Sequence, residues 1–183
     1  MMNILSRAAN PVMLVVMASC AYSQGTTKTL ENPCPMYASH MGADGHHATV
    51  EGHGDQAMGF PHDKTTHHFR LAENGGAIEV TADHPTDTAN IDAIRMHLAH
   101  IAQVFSEGDF SIPMFVHDGI PPGVTTMKLL KDKIHFAYEP LDSGGRVSVS
   151  SDDAVARAAI HDFLRFQITD HQTGDPLEAA PAH

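Results

Sequence analysis

Residues 34–62 read CPMYASHMGADGHHATVEGHGDQAMGFPH, a run that holds Cys34, Met36, Met41 and Met58 together with His40, His46, His47, His53 and His62. Imidazole suits copper, zinc and nickel, whereas thioether and thiolate select copper(I), so a mixed set spans both copper oxidation states. Between Lys28 and Lys64 there is no Lys or Arg, while Glu31, Asp44, Glu51, Asp55 and Asp63 supply negative charge. The local field therefore favours cations. The bias extends to the whole chain, which has 15 His and 10 Met in 183 residues. Glycine recurs at 42, 45, 52, 54 and 59, and apolar residues follow neither a two-residue nor a 3.6-residue period. Residues 24–62 are therefore expected to be a flexible, separable arm that adds little to the core.

Cys34-Pro35-Met36 resembles the short CPM(H) stretch of heavy-metal-binding segments in bacterial copper-efflux periplasmic proteins. The resemblance covers three residues. Tyr37 stands where that pattern prefers His, and its second Cys motif is missing. It implies Cys34 and Met36 as metal ligands and nothing about the rest of the chain.

A second candidate cluster comes from an internal repeat. HHFRLAENGGAIEVTAD followed by AIRMHLAHIAQVFSEGD is echoed by IHFAYEPLDSGGRVSVSSD followed by AIHDFLRFQITDHQTGD. His68-Phe69 matches His135-Phe136, Gly75-Gly76 matches Gly144-Gly145, and residues 93–109 align without a gap on 159–175. Each unit reads strand, Gly-Gly hairpin, strand, helix. His67, Phe69 and Leu71 alternate on one face. Ile91, Ile94, Leu98, Ile101 and Phe105 form one helical stripe, and Ile160, Phe163, Leu164, Ile168 and His171 form another. A ββα unit cannot bury its faces alone. The expected fold is therefore α+β, with two ββα units forming a four-stranded antiparallel sheet and two helices on one face, in pseudo-twofold arrangement. Residues 110–117 are expected as an extended connector or edge strand, and residues 122–131 as a short helix.

The repeat breaks where it matters for chemistry. His97 stands in the place of Phe163 and His100 in that of Phe166. Neighbours at i and i+3 on a helix can both reach one ion. With His67 on the inward face of the first strand, the expected scaffold site is His67, His97 and His100, completed by His62, Met58 or His117. His68 and His135 fall on the opposite face and read as structural. His161, His171 and His183 read as ordinary packing or surface residues.

The ends of the chain complete the organisation. Residues 1–23 read as an export signal, with Arg7, an apolar PVMLVVM core and the small-x-small Ala21-Tyr22-Ser23 before Gln24. The rival reading is a lipoprotein signal, Met17-Ala18-Ser19-Cys20, with lipid on Cys20 as the only membrane attachment. Residues 63–175 are the ββα-ββα domain and 176–183 a tail. The destination is the periplasm or the exterior. A net charge of −11 without a basic stripe argues against nucleic acid.

No Gly-x-Ser-x-Gly elbow, Walker loop, dinucleotide fingerprint, His-Glu-x-x-His or Cys-x-x-Cys occurs. Any haem would be non-covalent, since Cys-x-x-Cys-His is absent, and ranks below copper and zinc ions. The expected function is an exported bacterial metal-binding protein, copper first and zinc second, that captures or buffers metal outside the cytoplasm. The alternatives are a mononuclear metalloenzyme (a hydrolase or oxidase) and a small exported interaction module with an incidental arm. Catalysis is left open, as are a protein partner and a homodimer.

Overall fold

The computed structural model describes residues 43–179. The export signal at 1–23, Cys20, and the proposed ligands Cys34, Met36, His40 and Met41 lie outside the described residues. No described helix is long and apolar enough to cross a membrane. In chain order the elements are α1 (Ala43–Met58), β1 (Thr65–Ala72), β2 (Gly75–Ala82), α2 (Thr88–Ser106), α3 (Ser111–Val116), α4 (Val124–Leu129), β3 (His135–Leu141), β4 (Gly144–Ser150) and α5 (Ala154–Asp170).

The two hairpins turn through Glu73-Asn74 and Asp142-Ser143, and their inner strands pair antiparallel, giving the order β1-β2-β4-β3. This is the expected four-stranded sheet with a ββα pattern repeated twice. The central ladder sets Gly75 opposite Ser150 and Thr81 opposite Gly144, a symmetric register about a pseudo-twofold axis. Glycine is required at both strand starts. A methyl group on Gly75 would strike the Val149 carbonyl, and one on Gly144 the equivalent Val80 carbonyl. One sheet face carries Phe69, Leu71, Val80, Val147 and Val149 into the core. The other is polar, with Arg146 held between Glu79 (2.8 Å) and Glu139 (2.6 Å), as befits an antiparallel sheet with one solvated side.

Both long helices lie on the apolar face, but each crosses to the other unit. α2 packs mainly on β3 and β4, and α5 on β1 and β2. The small residues of the inner strands make room for them. A methyl group on Gly145 would come within 3.2 Å of Leu98 Cδ1, and one on Gly76 would strike Leu164. The α2 stripe is buried as expected, and α5 buries Ile160, Phe163, Leu164, Gln167 and Ile168. Asp87 and Asp153 cap the two helices by accepting backbone N–H groups of the first turn.

The repeat also differs from the sequence match by two residues on the outer strands. Counting back from the turns, Ala72 answers to Leu141, so Phe69 answers to Tyr138 and His67 to Phe136. The matching His-Phe dipeptides are coincidental. The equal lengths of the hairpin turns set the frame, because a slip of one strand would need a longer loop.

Two segments depart from expectation. Within residues 110–117, Ser111–Val116 form a helix, α3, not an extended connector. Asp109 accepts the Ser111 N–H at 2.8 Å, and Pro113 sits in the first turn, where its missing N–H costs nothing. The larger correction concerns 24–62. Its described part from Ala43 onward is α1 and a short connection to β1, not a loose arm. Its pattern has helical spacing with histidine and acid in place of aliphatic residues. His46, Val50 and His53 make one stripe, and His47, Glu51, Asp55 and Met58 another. Val50 is 1% exposed and Phe60 3%. Those two side chains pin the segment, against about 1 kcal/mol of helix propensity lost at each of Gly52 and Gly54.

If α1 is part of the fold, truncating its anchor must cost stability. Val50→Ala should destabilise the protein by about 2 kcal/mol in urea unfolding. The control Val155→Ala, at a side chain 62% exposed, should stay within about 0.5 kcal/mol. Equal midpoints for the two variants would restore the flexible-arm reading.

Candidate metal centre

The exchange of helices decides which side chains meet at the free end of β1. There α5, not α2, runs over β1, and its last turn brings His171 above His67 with ring centroids 6.3 Å apart and planes 5° from parallel. His97 reaches in from α2, edge-on to Phe60 at 5.7 Å, and Phe60 lies 6.4 Å from His67. Met58, at the end of α1, places its Sδ 3.3 Å from His67 Nε2. His117, just after α3, stands edge-on to His171 at 5.0 Å.

The pseudo-twofold axis gives this cluster a counterpart. His67, His97 and His171 answer to Phe136, Phe163 and Phe105. Those three phenylalanines form an apolar nest in which Phe105 lies 5.8 Å from Phe136 and 6.1 Å from Phe163. Phenylalanine thus fills one set of these positions and histidine the equivalent set, and Phe105 and Phe163 reach the cavity that the histidines line.

Two cavities meet at the histidine end. The inner one, about 80 Å³, is lined by Met58, His67, His97, His117 and His171 among apolar side chains such as Phe69 and Val116. The outer one, about 260 Å³, is lined by His47, Glu51, His62 and Thr173. Met58, His67 and His171 border both. His47 Nδ1 and the Gln167 amide nitrogen, each bordering one of the two cavities, are buried without a hydrogen-bond partner among the described residues. Unpaired buried polar atoms are uncommon in native proteins and call for an explanation, a bound water or ion among them.

Electrostatics keep the inner imidazoles neutral. Burial lowers the pKa of His67 to about 4, helped by the nearby His62 and His68. It lowers His97 to about 4, with His67 and His100 acting in the same sense, and His171 to about 3, with His117 and His67. A neutral imidazole has a lone pair free for a metal. The support behind the cluster is a pair of hydrogen bonds. Asp170 accepts from His117 Nδ1 at 2.6 Å and from His46 Nε2 at 2.9 Å. Burial raises the Asp170 pKa, but these hydrogen bonds outweigh it and hold the carboxyl below its ordinary value.

Of the expected ligands, the structure brings Met58, His67 and His97 together around the inner cavity, with His117 on its wall. His62 and His47 face the outer cavity. His100 is exposed and borders neither, because α2 turns that side to solvent once it has crossed to β3 and β4. His46 is tied to Asp170, and His53 stacks on Phe115 at 4.8 Å and hydrogen-bonds its carbonyl, so both hold α1 in place. His68 lies on the opposite face as expected, bonded to Asp175 at 2.9 Å. His171, Glu51 and Asp55 were not among the expected ligands. His171 carried a readable signal, since it aligns with Phe105 as His97 does with Phe163. Among the described residues no group of three or more His, Cys, Asp or Glu side chains is placed to hold a metal ion. The inner set depends on the Met58 thioether.

The lowered histidine pKa values fix a pH dependence. In the unfolded chain these groups protonate near 6.5, and in the folded protein only near 4 or 3. Between those values the unfolded state binds more protons, so stability falls as pH drops below about 6.5. The slope is up to about 1.4 kcal/mol per pH unit for each of the three groups. Urea unfolding of the metal-free protein at pH 7.5, 6.5, 5.5 and 4.5 should show this loss, and a His67→Phe/His97→Phe/His171→Phe variant should flatten it. An unchanged slope in that variant would contradict the burial of these rings.

No protein-family model, curated protein or solved structure matches the chain, so the functional reading stands on this geometry.

Proposed function

We propose that the protein is an exported metal-binding protein that captures or buffers metal outside the cytoplasm, with copper as its first ligand and zinc as its second. The observation that carries the reading is the Met58 Sδ to His67 Nε2 separation of 3.3 Å at the wall of an apolar cavity that also holds His97 and His171. A thioether beside neutral imidazoles, away from carboxylates, is a donor set for soft copper(I). Two such donors bound to one ion lie roughly 3–4 Å apart, given bonds of about 2.0–2.3 Å. The wall is lined by Phe69, Val116 and Phe163. It favours an ion whose charge needs little hydration and excludes the waters a harder cation keeps. Export rests on residues 1–23, and the supply of further donors on Cys34, Met36, His40 and Met41.

The reading is tested by titrating copper(I), with a chromogenic copper(I) chelator in competition, into the chain lacking residues 1–42. Wild type should bind with a Kd of micromolar or tighter. Met58→Leu and His67→Phe should each weaken binding at least tenfold, about 1.4 kcal/mol. His100→Gln should change nothing. The fold should survive His67→Phe, because Phe136 fills the equivalent position. No binding at micromolar concentration, or equal affinity in all four proteins, would overturn the assignment.

A further inference from the structure

The helix that carries Met58 is loosely held. α1 has three glycines in 16 residues, Gly45, Gly52 and Gly54. Gly54 lines the outer cavity, where a methyl group would come within 3.4 Å of Met58 Cε. Gly52 has no such reason. It is exposed, its φ is not positive, and a methyl group there would meet nothing within 4 Å. A glycine that neither contact nor backbone angle requires still weakens its helix, by about fivefold in equilibrium against alanine. The one aliphatic side chain that α1 buries is Val50. The bonds of His46 to Asp170 and of His53 to the Phe115 carbonyl are exposed, so water replaces them readily. Most of the packing of α1 falls on α3, itself six residues long.

Directly after Met58 the chain turns through Gly59, at φ 78°, with open space where a side chain would stand. The next residue, Phe60, is 3% exposed. The body of the protein thus grips the chain one residue beyond a natural hinge. α1 gives His47, Glu51, Gly54 and Met58 to the wall of the outer cavity. Met58 is its one contribution to the inner cavity and borders both. Lifting α1 therefore withdraws Met58 Sδ from its place 3.3 Å from His67 Nε2 and removes the side chain between the two cavities. We propose that α1 is a gate over the inner cavity, hinged at Gly59, whose local opening sets how fast copper(I) enters and leaves. The identity of the ion rests on the copper(I) reading above, and the opening itself does not. Segments with few buried apolar contacts open locally, at a free energy below that of global unfolding. An ion held by the closed form and admitted only through a sparsely populated open form enters and leaves at rates that both scale with the open fraction. Its affinity is then set by the closed form and barely changes.

The test uses the full chain without residues 1–23, in a Cys34→Ser background so that the thiol does not compete. Gly52→Ala and Ala48→Gly change helix stability in opposite directions at exposed positions that touch no proposed ligand. Amide hydrogen exchange of the metal-free protein comes first. Amides of α1 should be less protected than those of β2 and β4 by about a hundredfold or more. Gly52→Ala should raise the protection of α1 about fivefold, and Ala48→Gly should lower it by about the same factor. Equal protection of α1 and the β2–β4 ladder would mean that α1 opens only with the whole domain, and overturns the gate whether or not copper binds. Copper(I) uptake, and its release to an excess of chromogenic chelator, come second, with Met58→Leu marking the kinetic phase that belongs to the inner cavity. Gly52→Ala should slow both rates about fivefold and Ala48→Gly should speed both, with Kd constant within twofold. Equal rates in the parent and both variants overturn the gate, as does a change in Kd without a change in uptake. Absence of copper(I) binding would sink the copper reading and leave the opening of α1 to be decided by exchange alone.

Discussion

The β2–β4 ladder holds the molecule together, and its close approach dictates much of what lies above it. Gly75 and Gly144 run so near the opposing Val149 and Val80 carbonyls that no side chain fits at either strand start. Gly76 and Gly145 leave hollows on the apolar face, which Leu164 and Leu98 fill from helices of the opposite unit. Neither ββα unit then keeps its own helix over its own strands. The two halves bury each other, and a large part of the core forms only when both are present.

That exchange explains which parts of the sequence could be read in advance. Alternation in the strands, the Gly-Gly hairpins and the Ile91–Phe105 stripe are local patterns, and local patterns specify elements. They also exposed His97, because a histidine in a phenylalanine slot is visible once the helices are aligned. Which helix lies over which strand is a tertiary choice, settled by the fit of Leu98 and Leu164. That choice put His171 beside His67 and turned His100 to solvent. The outer-strand frame was obscured by the chance match of His68-Phe69 with His135-Phe136.

The first helix was illegible for a different reason. Hydrophobic periodicity finds helices that bury aliphatic residues, and α1 buries one, Val50. Its remaining inward positions carry His46, His47, Glu51, His53, Asp55 and Met58, whose partners are Asp170, the Phe115 carbonyl, His62 and His67. Polar attachment leaves no apolar signature, yet it uses the same three- and four-residue spacing. Composition drew attention to these residues as ligands, and spacing placed them on two faces of one helix. Of α1, only His47, Glu51, Gly54 and Met58 line the two cavities.

The asymmetry between the two ends of the sheet bears on why the histidines are there. The Phe105, Phe136 and Phe163 nest shows that this backbone accepts an all-phenylalanine filling. Replacing it with His67, His97 and His171 gives up apolar burial and leaves imidazole nitrogens to be satisfied, at about 1–3 kcal/mol for each that is not. Against a total stability of about 5–15 kcal/mol for an ordinary domain, such an end is a weak point when empty. A ligand that binds only the folded state returns stability as RT ln(1 + [L]/Kd), about 2.7 kcal/mol at a hundredfold excess over Kd. Metal bound among these rings would offset what the rings cost. The unfolding midpoint would then rise with the supply of metal, whereas a phenylalanine filling of the same end would leave it indifferent to metal.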